Sequence, residues 1–495
     1  MLKLWLLCGL AASAGAQMRT VQVDAAQVTG AIRSLQGVNG PPINPLREAW
    51  DVSKQYKDLR IDLVRTHDFF GPTDIDAQWP DPDAIAKAMK ADGAKSIFPH
   101  WNADPEKEES YNFGPSDRVI SAIVNAGAEV YYRVGRSWSA DPAPPPDFDK
   151  YANLVKHVAM HYNGGWAHGF HYKIRYWEFW NEPNVVAVHI PGFGDTRPFW
   201  SGTPEQFYRL YETVARALKA YDPSLRVGAP ALAGGFATAP YYEGLIRYAA
   251  AHKAPLDFYS WHHYTHASND PYDLAQLARK VRDMLDANGF PKAENHVTEW
   301  NMSLTNDAAH QSSMEHAAFC GAALTYLEDA PLDRSLYYRA DPNVIGFFET
   351  DGSYRKKAYT YKALGAMLDT RRRLASSGGD TLGFAVLAGR SEDAKTVQVL
   401  ISNYEIPEVL RKQRAAPGGF GAIPPRTDIH YENNGGYALK VSHLPWGNGA
   451  FSVHRYRITK TDNWAESASS GKGGTLEMSN PLPAPGVELI VIRGK

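Results

Sequence analysis

Cysteine is nearly missing from this 495-residue chain, which has only Cys8 and Cys320. A fold stapled by several disulfides is therefore excluded, and stability has to come from a buried core. Charge of one sign is missing as well. The 52 Lys and Arg almost balance the 54 Asp and Glu, and no basic run stands out. Without a broad positive field to neutralise phosphates, no nucleic-acid partner is expected. No apolar run reaches the roughly 18 residues that a membrane helix needs, and there is no internal repeat or low-complexity tract. What is present is the composition of a folded protein, 44% hydrophobic and 21% charged, long enough for one large domain with an appendage. Aromatics are plentiful, with 13 Trp and 27 Tyr. Such rings fill cores, and they also suit polar ligands that present apolar faces.

The first residues read as an export signal. Lys3 precedes an apolar stretch from Leu4 to Ala12, and Ala14-Gly15-Ala16 offers small residues to a signal peptidase, leaving Gln17 first in the mature chain. The stretch is too short to span a bilayer. Leu7 before Cys8 is not the small residue that a lipid-attachment site carries, so no membrane anchor is expected. Export to a periplasm or medium follows, with Cys320 left as a lone thiol that has no partner for an internal disulfide.

Between residues 35 and 372, eight short apolar or aromatic runs alternate with amphipathic stretches: Leu35 to Gly40, Ile61 to His67, Glu129 to Val134, Ile174 to Trp180, Val227 to Ala231, Phe258 to His263, His296 to Trp300 and Leu336 to Arg339. Alternation of this kind predicts an α/β fold, and eight such units close most naturally into a (β/α)8 TIM barrel. Pro204 to Tyr221 reads as a helix capped by Thr203, and Gln311 to Leu327 as another. The connection between the second and third runs contains Trp79, Trp101 and Tyr111 and is longer than a simple crossover, as expected of a loop that builds a binding site. From residue 373 to 495, strands alternate with Gly/Pro-rich turns, which predicts an all-β sandwich; the segment 17–34 is read as a possible additional strand of it. The division is thus 1–16, 17–34, 35–372 and 373–495.

Two segments carry the chemistry. Trp177-Glu178-Phe179-Trp180-Asn181-Glu182-Pro183-Asn184 closes the fourth barrel strand, and Val297-Thr298-Glu299-Trp300-Asn301 closes the seventh. Catalytic groups of such barrels sit at the carboxyl ends of the strands. Two carboxyls facing each other across the mouth are what glycosidic-bond cleavage needs: one protonates the departing oxygen while the other attacks the anomeric carbon or activates water.

With Arg65-Thr66-His67, Tyr111-Asn112-Phe113 and Trp261-His262-His263-Tyr264, these segments resemble retaining glycoside hydrolases of clan A, and most of all glycoside hydrolase family 39, which includes β-xylosidases, α-L-iduronidases and bacterial exopolysaccharide hydrolases. The resemblance implies that Glu182 is the general acid/base, Glu299 the nucleophile and Asn181 a donor to the sugar 2-hydroxyl. It makes His67 a sugar contact, and His262 and Tyr264 neighbours of sugar and nucleophile. Arg65 would sit behind Glu299, or else pair with Glu178. Trp138, Trp180 and Trp300 are candidate platforms for sugar faces, with core filling as the alternative.

His262, His263 and His266 invite a zinc reading, but adjacent strand residues point to opposite faces and no Cys or carboxylate in the run completes a tetrahedral set, so no metal and no cofactor is expected. The chain departs from the family at Arg133-Val134-Gly135-Arg136-Ser137-Trp138, where β-xylosidases have an acidic and apolar strand end. It departs again at Tyr337-Tyr338-Arg339-Ala340-Asp341, where a Trp commonly forms the sugar floor. Tyr338 and Arg339 thereby become substrate-binding candidates. Arg136 and Arg339 would suit a uronate, unless they pair with Asp341 or other carboxylates. The expected partner is an oligosaccharide or glycoside. β-Xylosidase-like exo-action leads; arabinosyl, uronic-acid-bearing or exopolysaccharide substrates are alternatives. A non-catalytic carbohydrate-binding barrel is the reading from another class, and the intact pair of glutamates speaks against it.

Overall fold

The computed structural model describes residues 17–77, 95–137, 140–186, 189–190, 194–195, 198–234, 239–265, 267–415, 423, 426 and 434–495. The segment 1–16, Trp79, Trp138 and His266 lie outside the described residues.

Eight strands close into a parallel barrel: β2 (Gly37–Asn39), β3 (Leu63–Arg65), β4 (Glu129–Val134), β5 (Tyr176–Phe179), β8 (Arg226–Leu232), β9 (Phe258–Tyr264), β10 (Glu294–Asn301) and β11 (Arg334–Tyr337). Each overlaps one of the eight sequence runs, although β8, β9 and β10 extend past theirs and β11 starts two residues before its run and ends two before the run does, and the fold is a (β/α)8 barrel. A short ribbon, β6 (His189–Ile190) with β7 (Gly194–Asp195), interrupts the loop after β5. Alternation along the strands fills the barrel in layers. Leu63, Tyr131, Tyr176, Phe258 and Leu336 form one apolar layer, with the His296 ring stacked on Phe258. Gly228 is required beside it, because a Cβ there would lie 2.3 Å from the Phe258 carbonyl oxygen. Two residues further along their strands, Arg65, Arg133 and Glu178 are buried, as is His262, four residues past Phe258. The barrel thus changes from apolar to charged toward its carboxyl end.

The helix Pro204–Tyr221 starts with a complete capping box between Thr203 and Gln206. The second expected helix begins later than the sequence reading placed it. It runs from Met314 to Leu327 behind the Ser313 cap, while Gln311 ends a separate turn capped by Asp307. The reason is local: Ser313 accepts from the His316 amide, and the Gln311 side chain donates to the Ser303 and Thr305 carbonyls.

Beyond the barrel come β12 (Arg372–Ser377), β13 (Phe384–Arg390), β14 (Thr396–Asn403), β15 (Asn434–Ser442), β16 (Ala450–Ile458), β17 (Asn463–Lys472), β18 (Leu476–Pro481) and β19 (Gly486–Gly494). With β1 (Gln17–Ala31) they make one nine-stranded sheet in the order β17-β16-β19-β14-β13-β12-β1-β15-β18. β1 is antiparallel to β12 and parallel to β15. The sheet curls on itself, so that Tyr437 and Leu439 of β15 share a core with Phe451 and Val453 of β16, although β15 and β16 lie near opposite ends of the strand order.

The helix Met314–Leu327 is apolar nearly all round because it lies between barrel and sheet. Ser402 donates to the Ala318 carbonyl at 2.8 Å, and Tyr404 to the Asn269 carbonyl at 2.8 Å, which ties the two parts together. Cys320 lies on this helix, fully buried, and burial pushes its thiol up to about 12, which keeps it protonated and inert. Because the Thr203 hydroxyl satisfies an otherwise orphaned amide, Thr203→Ala should lower the unfolding free energy by about 1 kcal/mol. Denaturant titration checks this, and an unchanged midpoint would show that the cap adds nothing.

Candidate active site

The charged end of the barrel is organised around Arg65, whose side chain has no exposure. Its Nε donates to Glu178 Oε2 at 2.5 Å and its Nη2 to Asn181 Oδ1 at 2.8 Å. Its Nη1 donates to Glu299 Oε1 at 2.6 Å and to Asn39 Oδ1 at 3.1 Å. Both roles weighed for this arginine are therefore present at once. Because Arg65 holds the oxygen of the Asn181 amide, the amide's donor end is the one left for the cavity that Asn181 lines.

Glu299 reaches the interior through a bulge. Val297 pairs with Trp261 and Glu299 with His262, one extra residue on β10. His296 already packs inside the barrel, so regular alternation would turn Glu299 outward; the bulge re-aims it. The Tyr264 hydroxyl donates to Glu299 Oε2 at 2.5 Å. Glu182 follows β5 with its backbone in the left-handed region, φ +45°, and Trp180 has φ +68°. Non-glycine residues adopt such angles where the surroundings enforce them. His262 Nδ1 lies 2.7 Å from Glu182 Oε1 and 3.6 Å from Glu299 Oε2.

One carboxylate oxygen of Glu182, one of Glu299 and one nitrogen of His262 lie within 4.8 Å of one another. Three such atoms could hold a cation. However, two ligands of a tetrahedral zinc lie ~3.3 Å apart, whereas the 2.7 Å between His262 and Glu182 is a hydrogen-bond distance. The trio fits a proton-sharing cluster better than a metal centre.

The electrostatics divide the two glutamates. Burial, and next the charge of Glu299, push Glu182 well above the usual carboxylate range, against the opposing pull of Arg65. Burial raises Glu299 too, to about 7, with Arg65 and the Tyr264 hydroxyl opposing the rise. Arg65 and Tyr264 both touch Glu299 directly, so a single proton shared by the pair belongs on Glu182. Burial, reinforced by Arg65, holds His67 and His262 well below their ordinary value, so both imidazoles are neutral.

A cavity with about 650 Å³ of empty space, its mouth included, opens above the pair. It is lined by His67, Asp68, Asn181, Glu182, Tyr264, Glu299 and Tyr338, with Phe199, Leu304 and Ile345 as apolar walls. Six sequence candidates thus meet at it, the two glutamates, Asn181, His67, Tyr264 and Tyr338, with Arg65 buried behind them.

Other candidates do not line the cavity. Trp300 is fully buried, donates to Ser335 Oγ at 2.8 Å and packs edge-on against Tyr337, so it fills the core and is no sugar platform. His262 is buried beneath the cavity and touches Glu182 instead of lining the pocket. Arg339 is paired with Asp341, its Nη2 lying 3.0 Å from Oδ2. Arg136 is held by both oxygens of Asp76, at 3.0 and 2.7 Å. Trp180 lines a smaller hollow beside the cavity, together with Arg136, Asn181 and Phe199.

Sequence reasoning missed Asp68, Phe199, Leu304 and Ile345, all outside regular elements. Only Asp68 left a signal, an acid directly after a strand-end histidine. Removing the central cation should be costly: Arg65→Met leaves Glu178 and Glu299 uncompensated and should destabilise the fold by about 3–5 kcal/mol. Denaturant curves decide this, and a loss below 1 kcal/mol would mean that the carboxylates do not depend on it.

The family model described as Glycosyl hydrolases family 39 matches residues 102–341. A β-xylosidase of Geobacillus stearothermophilus is 27% identical over 238 residues, 42% of this chain and 44% of its own length. A β-xylosidase of Caldicellulosiruptor saccharolyticus is 28% identical over 308 residues, 59% of this chain and 57% of its own. The chain thus spans about half the length of the curated relatives it matches. The crystal structure of a glucosidase from Croceicoccus marinus superposes with a TM-score of 0.84 at 32% identity, covering 97% of this chain and 100% of that one.

Proposed function

The chain belongs to glycosyl hydrolase family 39, and on that premise we propose that it is an exported, retaining, β-xylosidase-like glycosidase that removes single sugars from chain ends. The observation that carries the reading is the spacing of Glu182 and Glu299, whose oxygens come within 4.8 Å across one cavity. Retaining enzymes hold their carboxyls about 5–5.5 Å apart, whereas inverting enzymes leave about 6.5–9.5 Å for a water.

In this reading Glu182 gives its proton to the departing oxygen while Glu299 attacks the anomeric carbon. The glycosidic C–O bond breaks as an ester bond to Glu299 forms. With that carboxylate esterified, the charge that raised Glu182 is gone, so Glu182 ionises and takes a proton from the water that attacks the same carbon. Water displaces Glu299, and the anomeric configuration is kept. His262, neutral and donating from Nδ1 to Glu182 Oε1, would leave Oε2 as the end that carries the proton. Asn181, its oxygen pinned by Arg65, offers Nδ2 to a 2-hydroxyl, a contact that strengthens as the ring gains oxocarbenium character.

Apolar walls at Phe199, Leu304 and Ile345 support a confined pocket and exo-action. The pairing of Arg136 with Asp76 and of Arg339 with Asp341 removes the two cations that would have welcomed a uronate. A neutral glycone is therefore favoured. The likeness to a glucosidase over nearly the whole chain makes an aryl glucoside the second candidate substrate. Export rests on the expected signal segment.

Glu299→Ala should abolish turnover of aryl xyloside, and Glu182→Ala should cost about 10²- to 10⁴-fold on substrates with poor leaving groups, and less on activated aryl glycosides. Proton NMR of the first product formed should show the starting anomer; net inversion would refute the two-step scheme. Xyloside, glucoside, arabinoside and glucuronide compared side by side fix the sugar, with no turnover expected for the glucuronide.

The Tyr264 hydroxyl favours the charged form of Glu299, so Tyr264→Phe should raise the pKa of the nucleophile. Glu299 attacks only when ionised, and the acidic limb of kcat/KM should therefore move to higher pH, by about one unit. A limb that stays in place would remove Tyr264 from that role.

A further inference from the structure

The catalytic reading uses two carboxylates, yet the cavity contains a third. Asp68 follows β3 and His67, in a loop where its own φ is +57°, that of Phe70 +54° and that of Thr73 +75°. An aspartate tolerates the left-handed region better than most residues, and strain gathered in one loop at the mouth of a site marks a conformation held for use. The side chain is only 3% exposed and lines the cavity with the two glutamates. Two other cavity residues hold it. Tyr338 donates its hydroxyl to Oδ2 at 2.8 Å, and His67 Nε2 lies 3.3 Å from Oδ1. Its negative charge reaches both Glu182 and Glu299.

A third buried carboxylate works against the chemistry on electrostatic grounds, because it makes the nucleophile harder to ionise. That cost calls for a return, and sugar recognition supplies one. A carboxylate has about four lone-pair sites, so Asp68 can keep Tyr338 and still accept hydroxyl donors. Hydrogen bonds to a charged acceptor are about twice as strong as those between neutral groups. Asn181 faces the sugar with a donor, whereas Asp68 can only accept when ionised.

We propose that Asp68 is a specificity residue that grips the glycone through a 3- or 4-hydroxyl, on the ring edge away from the 2-hydroxyl, and so selects neutral sugars with those hydroxyls free. The proposal rests on the glycosidase reading above. It also gives the exclusion of uronates a cause within the cavity: a substrate carboxylate would meet three acidic side chains there while Arg136 and Arg339 are engaged with Asp76 and Asp341.

The test compares para-nitrophenyl β-D-xyloside with its 2-deoxy, 3-deoxy and 4-deoxy forms, on the wild-type enzyme and on Asp68→Asn. The substitution keeps an acceptor for Tyr338 and removes the charge; thermal melting verifies the fold, and Asp68→Ser serves as the second variant. Wild type should lose about 10- to 100-fold in kcat/KM on the 3-deoxy or 4-deoxy sugar. Asp68→Asn should lose a similar factor on the parent and little more on that deoxy sugar, while keeping the full penalty for the 2-deoxy form, which is read by Asn181.

Losses that multiply at both positions, or a wild type indifferent to both deletions, would overturn the role of Asp68 and leave the glycosidase reading intact. A wild type that turns over none of the neutral aryl glycosides would overturn both, and the two failures are distinguishable.

Discussion

A single buried guanidinium sets the geometry on which the rest depends. Arg65 is shut away from water at the centre of the barrel and engages residues of β2, β5 and β10 as well as the loop that follows β5. A cation in such a place is a poor source of net stability, because desolvation offsets most of the attraction. Its worth lies in position. Each donor of the planar fork has one acceptor geometry that satisfies it, so Asn181 and Glu299 are held at fixed places on opposite sides of the mouth. The same charge sets the proton count: it supports Glu299 as an anion and leaves Glu182 as the member that takes the proton.

Much of this was legible in the sequence because the signals were repeated or chemically redundant. Eight apolar runs alternating with amphipathic stretches leave few closed architectures, and an Asn-Glu-Pro segment at one strand end with a Glu at another suggests paired carboxyls. Elsewhere the signal was present but misread. Once Glu299 faces inward, alternation forces Trp300 outward into the helical layer, so its role as a sugar platform could have been discarded from the sequence alone. The bulge that turns Glu299 inward could not have been read, since nothing in Val297-Thr298-Glu299 marks an extra residue.

The arginines show a different limit. Arg136 finds Asp76 and Arg133 finds Asp74, each roughly 60 positions away in the chain, and pairings at that distance have no periodicity to betray them. Asp68 was passed over because its one signal, a place directly after a strand-end histidine, does not by itself distinguish it from a solvated loop acid until the fold closes around it. His262, expected beside sugar and nucleophile, does not line the cavity but lies beneath it, 2.7 Å from Glu182 and 3.6 Å from Glu299, so its contacts are with the two carboxylates.

The path of β1 has a consequence for biogenesis. This strand pairs Val23 with Ser376 on one flank and with Val441 on the other, so both of its neighbours emerge from the ribosome hundreds of residues after it. During that interval β1 has two unsatisfied edges, an invitation to intermolecular pairing. A truncation that keeps the barrel and discards the later strands would make that condition permanent. Soluble expression of the barrel by itself would therefore require deleting the opening strand too.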